Sequence, residues 1–422
     1  MALIKKPVTG MKDILPKEMI IRDYVTSLVK ETYKNFGFTP METPIVEHIE
    51  NLLSKNGGEN EKLIFKVLKR GEKLNLSEAK SENDLSDSGL RYDLTLPLAR
   101  YYSNHANELP SPFKALQIGS VFRADRPQKG RFRQFTQCDI DILGDGSCLS
   151  EIELILATTT LLGKLDFKGF TVRINDRRIL KAMAAYSGFK EEDYDNVFII
   201  LDKMDKIGLL GVKEELVNSG FAPEAVDKYT GLFENTGNDR ESIKKLFDIL
   251  SVEGSELEGN ELITIIDSVN ATKTVDFKVE FDPSLVRGMS YYTGTIFEIS
   301  MDEFGSSVAG GGRYDEMIGK FTGSRTPACG FSIGFERIIT ILLEKDFKVP
   351  GGRESYAFLL EKGMSSERIC DIMKEAGRLR EEGNKVLICQ MNKNKKFQKE
   401  QLIKDGYEEK NIRDFYHTDF KK

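Results

Sequence analysis

Val121 to Gly144, VFRADRPQKGRFRQFTQCDIDILG, is the stretch from which the rest of the chain can be read. Val121-Phe122-Arg123 reads as a strand end, Pro127-Gln128-Lys129-Gly130 as turn material, and the run from Arg131 as the returning strand of a hairpin. Side chains alternate between the two faces of a strand. Arg131, Arg133, Phe135, Gln137, Asp139 and Asp141 therefore share one face, and Phe132, Gln134, Thr136, Cys138, Ile140 and Ile142 the other. The second face turns apolar toward its end and suits a core. The first carries guanidinium, ring, amide and carboxylate in succession, about 20 Å from Phe135 to Asp141 at the usual strand rise. Arginine forks suit phosphate oxygens, a ring can stack on a purine, and a distant carboxylate can take a cationic or hydrogen-donating group. A nucleotide joined to a small polar molecule fits that order of groups; a solvated strand face with ordinary ion pairs fits it too.

Upstream, the turn-rich Gly10-Met11-Lys12-Asp13-Ile14-Leu15-Pro16 precedes a segment from Glu18 to Phe36 with helical apolar spacing, which Gly37 ends. Phe38 to Val46 reads as a short strand whose prolines, Pro40 and Pro44, belong at a sheet edge or an interface; a dimer contact and a water-facing edge are both open. Asn75 to Gly89 is a polar, acidic surface excursion. In LRYDLTLP, Asp93 and Thr95 share a face if the segment is extended, or Asp93 caps a helix from Leu98 to His105.

Downstream, Cys148 to Leu165 reads as a buried helix, Thr171 to Asn175 as a strand, and Ile179 to Thr272 as an inserted helical subdomain without a chemistry-bearing motif. Strands return at Phe277–Phe281 and Thr295–Ile299. Between them LVRGMSYYTG suggests either a loop that brings Arg287 and backbone to a ligand or a tight turn with core tyrosines. The glycine-rich SSVAGGGRYD has neither a P-loop ending nor a dinucleotide fingerprint. Pro327 to Ile338 reads as strand, glycine and helix start, which places Arg337 beside a helix N-terminus suited to polyphosphate. After Pro350-Gly351-Gly352, a linker, the tail alternates: strand Tyr356–Leu360, helix Ser365–Glu382, strand Lys385–Cys389 and a lysine-rich segment. That segment suits either a nucleic-acid backbone or solvent.

Composition narrows the classes. The 422 residues allow two or three domains, and 61 basic against 67 acidic residues give a net charge of −6, so any nucleic acid must be met by local patches. Cys138, Cys148, Cys329, Cys370 and Cys389 lack paired spacing, which argues against a disulfide framework or zinc and for a reducing, cytoplasmic setting. No signal-peptide core and no bilayer-length run is present, so a soluble protein without membrane contact is expected. His48, His105 and His417 do not cluster, which speaks against a catalytic triad, a histidine metal site or a histidine base.

Taken together these stretches resemble the histidyl-tRNA synthetases, a class II aminoacyl-tRNA synthetase family. Pro44 falls at the family's motif 1 proline, Phe122-Arg123 through Asp141 looks like motif 2, and Gly334-Phe335-Glu336-Arg337 looks like motif 3. LVRGMSYYTG and AGGGRYD are similar to the two histidine-specific motifs.

The resemblance implies an α+β fold: a class II antiparallel sheet flanked by helices, with a helical insertion and a small C-terminal α/β domain. It divides the chain into a first catalytic part (1–178), the insertion (179–273), a second catalytic part (274–349) and a shortened anticodon-binding-like domain (350–422). It further implies a cytoplasmic homodimer, paired through motif 1, that uses ATP and Mg²⁺ to charge histidine tRNA. Arg123 and Arg287 would be catalytic, Arg123 holding the α-phosphate and Arg287 steadying both it and the attacking carboxylate. Phe135 would stack on adenine, and Arg131 and Arg337 would bind the polyphosphate. Asp93, Thr95 and Gln137 would hold the amino group of histidine, Asp141, Tyr291, Tyr292 and Tyr314 would surround the remainder, and Gln128 would approach the tRNA acceptor end. No protein metal site is implied. Ser290 stands where the family commonly has Asp, and the part after the linker is shorter than usual. The shortening leaves open a non-catalytic, histidine-binding regulatory subunit of ATP phosphoribosyltransferase, although such paralogues usually have damaged ATP motifs.

Overall fold

A computed structural model describes residues 3–53, 59–127, 132–250, 256–286, 291–301, 306–351 and 354–417. In chain order the elements begin with α1 (Pro16–Asn35), β1 (Thr39–Pro40), β2 (Val46–His48), α2 (Ile49–Leu52), β3 (Lys66–Leu68), β4 (Ser86–Leu90) and α3 (Thr95–His105). Next come β5 (Phe113–Phe122), β6 (Gln134–Leu143), α4 (Leu149–Lys164) and β7 (Thr171–Asp176). Six helices follow: α5 (Arg177–Ser187), α6 (Tyr194–Leu201), α7 (Met204–Asn218), α8 (Pro223–Asn235), α9 (Arg240–Leu250) and α10 (Glu256–Thr272). Then come β8 (Lys278–Phe281), β9 (Thr295–Met301), β10 (Ser306–Arg313), α11 (Asp315–Thr322), β11 (Ala328–Ile333) and α12 (Phe335–Glu344). The tail holds β12 (Ser355–Leu360), α13 (Ser366–Glu381), β13 (Lys385–Gln390), α14 (Lys395–Lys404) and β14 (Ile412–Phe415).

The hairpin around the arginine-rich turn is β5–β6, antiparallel from Phe113↔Leu143 to Phe122↔Gln134. It lies in an eight-stranded sheet of order β1-β5-β6-β11-β10-β9-β7-β8. The fold class is α+β. The sheet is mixed rather than wholly antiparallel, because β1–β5 and β7–β8 at its two edges are parallel. On β6 the apolar residues sort as alternation requires. Cys138, Ile140 and Ile142 are buried on the face packed by α4 and α12, and full burial of such side chains is worth about 1.5–3 kcal/mol each.

The stretch from Phe38 to Val46 is not one strand. Thr39–Pro40 pairs at the edge of the large sheet, whereas Val46–His48 joins the separate sheet β2-β4-β3, the chain bending at Ile45 just before β2. The glycine-rich AGGGR is an interior strand, β10, paired on both sides. An added Cβ on Gly311 would overlap the Gly330 carbonyl oxygen on β11 and lie 2.8 Å from Phe331 Cα, so only glycine lets these strands meet.

Met1–Ile14 with Arg22–Lys345 forms one compact unit, and Leu15–Ile21 with Asp346–Lys422 a second. In the tail, β13-β12-β14 is a parallel sheet with a core on each face. Alternation on β12 explains the two cores. Tyr356, Phe358 and Leu360 meet Ile372, Ala376 and Leu379 of α13, while Ala357 and Leu359 meet Leu402 of α14. Ser365 caps α13 by accepting from Arg368 N–H at 3.3 Å. No helix among the described residues is long and apolar enough to cross a membrane.

Candidate active site

A cavity of about 820 Å³ opens over the polar face of β6 and its neighbours. The face that the sequence left undecided is a cavity wall. Asp93, Thr95, Arg123, Phe135, Gln137, Asp141, Tyr291, Tyr292, Tyr314 and Arg337 all line it. Gln128, Arg131 and Arg287 lie outside the described residues. Arg133, expected on the same face, is drawn away: its guanidinium donates to the Asp125 and Thr9 carbonyls at 3.1 and 3.4 Å, and its backbone N–H to Gly10 O at 2.8 Å.

Toward one end of the wall, Arg123 Nε donates to Tyr92 O at 3.1 Å. Its guanidinium lies 4.2 Å from the Tyr92 ring centroid and 5.1 Å from that of Phe135. These contacts fix a cation where it can meet an anion. Nearby, Gly334 leads into α12, whose first turn carries Arg337 and the positive end of the helix dipole. Glu336 in that turn pairs with Arg22 at 2.7 and 2.8 Å and accepts Thr136 N–H at 3.1 Å, tying α12 to α1 and β6. Burial works to raise the Glu336 carboxyl, but Arg22, helped by the Thr136 N–H and Lys12, holds the group below its ordinary value.

At the other end three buried carboxylates converge. Asp93 accepts Leu96 N–H at 3.0 Å in the first turn of α3, whose N-cap is Leu94, so one residue both steadies the helix start and lines the cavity, and the helix begins at Thr95 rather than Leu98. Tyr314 donates its hydroxyl to Asp141 Oδ1 at 2.6 Å. Burial raises Asp141 to about 7, Tyr314 opposing and Asp93 reinforcing the shift. Burial and the neighbouring Asp141 push Asp139 well above the ordinary carboxyl range. Among the described residues, Gln137 Oε1, Asp139 Oδ1 and Asp141 Oδ2 are buried without a hydrogen-bond partner. Buried acceptors left unpaired are costly, and a ligand with N–H donors would satisfy those of Gln137 and Asp141. Tyrosines wall the same end: Tyr291 lies 4.8 Å from Tyr292 and 5.9 Å, edge to face, from Tyr314. Such a box suits a flat, hydrogen-bonding ring.

Several contributors went unassigned in the sequence. Gly330 makes room for Asp141, because an added Cβ there would overlap its Oδ1. Arg313 holds Tyr314 in place through a buried, two-pronged pair with Glu151 at 2.7 Å for each bond. The helical segment also reaches the site. Leu201, Asp202, Met204, Asp205 and Lys206 line the cavity, with Asp205 gripped by Arg173 of β7 at 2.8 and 3.2 Å. No motif marks them, since an exposed acidic helix end reads the same wherever it lies.

The sequence model of the family described as histidyl-tRNA synthetase matches residues 10–338. The chain belongs to the histidyl-tRNA synthetase family. It is 41% identical over 407 residues to the histidine–tRNA ligase of Leifsonia xyli subsp. xyli, covering 92% of this chain and 91% of that one. It is 37% identical over 385 residues to that of Porphyromonas gingivalis, covering 89% and 84%. Among solved structures, the histidyl-tRNA synthetase from Nostoc sp. PCC 7120 matches with a TM-score of 0.77 at 28% identity, covering 96% of this chain and 90% of that one. A Bacillus halodurans C protein, described as an ATP phosphoribosyltransferase regulatory subunit/histidyl-tRNA synthetase, also gives a TM-score of 0.77, at 20% identity, over 99% and 100% of the two chains. That second likeness is one of fold alone. Membership in the histidyl-tRNA synthetase family supplies a frame for the cavity: an arginine and a helix N-terminus toward one end, carboxylates and tyrosines at the other.

Proposed function

We propose that this protein is a histidine–tRNA ligase that joins histidine to ATP and then to histidine tRNA. The observation that supports the reading is the make-up of one cavity wall, where Arg123 and Arg337, which suit phosphate, share the lining with Asp93, Gln137, Asp141 and three tyrosines, which suit an α-ammonium group and an imidazole. The histidine carboxylate is anionic near neutral pH, so its attack on the α-phosphorus needs alignment and charge neutralisation rather than a base. A carboxylate oxygen forms the new bond to phosphorus, the bond to the β-phosphate oxygen breaks, and pyrophosphate leaves. In the second step a terminal ribose hydroxyl of the tRNA attacks the carbonyl carbon and AMP leaves.

In this reading Arg123 holds the α-phosphate and Phe135 stacks on adenine. Arg337, with Arg131, takes the polyphosphate, and Arg287 steadies the α-phosphate and the attacking carboxylate. Asp93, Thr95 and Gln137 receive the α-ammonium group, while Asp141, Tyr291, Tyr292 and Tyr314 enclose the imidazole. Gln128 approaches the tRNA acceptor end. Among the described residues no group of three or more His, Cys, Asp or Glu side chains could cage a metal ion. Mg²⁺ enters as part of the Mg·ATP substrate, held by phosphates and water. A cytoplasmic homodimer paired near Pro44, and use of the tail for the anticodon, complete the proposal. A non-catalytic regulatory subunit would not require Arg123 and Arg337 over the cavity, so the ligase reading is preferred.

Charging of histidine tRNA by the purified protein with ATP, Mg²⁺ and radiolabelled histidine tests the proposal. Arg123→Ala should lower the rate by about 100-fold or more, the scale of losing one fixed transition-state partner. Histidine binding without charging by the unaltered protein would transfer the reading to the regulatory subunit.

A further inference from the structure

Gln137 and Asp139 are next-but-one neighbours on the same face of β6, so their side chains run side by side. Gln137 Nε2 lies 3.3 Å from Asp139 Oδ2 and 3.5 Å from Ser332 Oγ, the hydroxyl across the ladder on β11. An amide has its donor and acceptor at opposite corners. With the nitrogen turned toward Asp139, the Gln137 carbonyl oxygen points away from it, and that oxygen is buried without a partner among the described residues. Reversing the amide would set its oxygen against Asp139 whenever that carboxyl is ionised, the form a bound cation favours. Opposite Asp139 on β5, Gln117 donates its own amide to Leu94 O at 3.2 Å, so of the two amides beside Asp139 it is Gln137 that its carboxyl orients; on β11 the Ser332 hydroxyl also bonds that carboxyl.

Resting on the functional reading above, we propose that Asp139 is a positioning residue. It fixes the Gln137 amide so that the carbonyl oxygen faces the pocket and selects a ligand bearing an α-ammonium group. Neither the side-by-side placement nor the buried oxygen requires Asp139 to touch the ligand. Burial and Asp141 raise the Asp139 carboxyl, so an entering cation favours the ionised form that holds the amide in this direction.

The test compares binding of L-histidine and of 3-(imidazol-4-yl)propanoate, which lacks only the amino group, by titration calorimetry. Asp139→Asn can present its own amide to Gln137 in either sense. It should weaken histidine about tenfold or more while leaving the analogue within about twofold. Gln137→Met should do the same, and the double variant should discriminate no worse than Gln137→Met alone, because Asp139 acts through Gln137. Equal weakening of both ligands, unchanged histidine binding, or a further loss in the double variant would overturn the inference. Replacing one of three clustered carboxylates relieves repulsion, so the variant is expected to fold; if it does not, Asp139→Ser undergoes the same comparison. Histidine that fails to bind the unaltered protein overturns the functional reading and this inference with it. Retained binding with unchanged discrimination overturns the inference alone.

Discussion

Asp141 shows what a single residue position reveals and hides. Alternation on β6 put it on the ligand face, but its burial and its bond to Tyr314 come from β10 and β11, which no local pattern predicts. Asp139 sat in the same reading without a role, because its importance depends on the direction of its neighbour's amide. The titration of Asp141 has a consequence for stability. Its carboxyl is raised from 3.8 to about 7. Between those values the unfolded chain releases a proton that the folded chain keeps, so stability falls as pH rises through this window and levels off above it. Asp141→Asn can still accept from Tyr314 and should remove the part of that slope that Asp141 contributes. The ligand-free variant should match the unaltered protein at pH 4 or below and exceed it at pH 8 by at most about 4 kcal/mol. Urea denaturation at the two pH values checks this, and an equal difference at both would refute the assignment.

At the scale of elements, helices and the β5–β6 hairpin were readable because their apolar periodicity is strong, and the β6 faces followed. The glycine strand β10 was not. Glycine disfavours strands when judged locally, and only the close approach of β11 makes it obligatory. The staple formed by Arg22 of α1 and Glu336 of α12 was equally invisible, since its partners are far apart in sequence. Each of the two side chains is only 10% exposed, so breaking the pair strands a charge in a poorly hydrated place. Arg22→Ala should therefore destabilise the protein by about 3–5 kcal/mol, read as a shift in the urea midpoint. A loss below about 1 kcal/mol would mean that solvent screens the pair as it would on a surface.

Across the whole molecule, the order of the motifs was legible, whereas their convergence depends on sheet order. Every described residue proposed to meet ATP or histidine belongs to the larger compact unit, and the tail has its own two-faced core. A protein ending at Lys345 should accordingly keep histidine-dependent pyrophosphate exchange within about fivefold, yet lose tRNA charging by more than about tenfold. Exchange lost together with charging would show that the tail is needed for the pocket itself. The strand order also bears on how the protein is made. As the chain leaves the ribosome, β6 pairs with β5 at once, but its other edge waits for β11, which emerges only after the helical segment and strands β8 to β10. Through that interval a growing chain presents an open strand edge, the kind of surface that holdase chaperones cover and that aggregates when translation stalls.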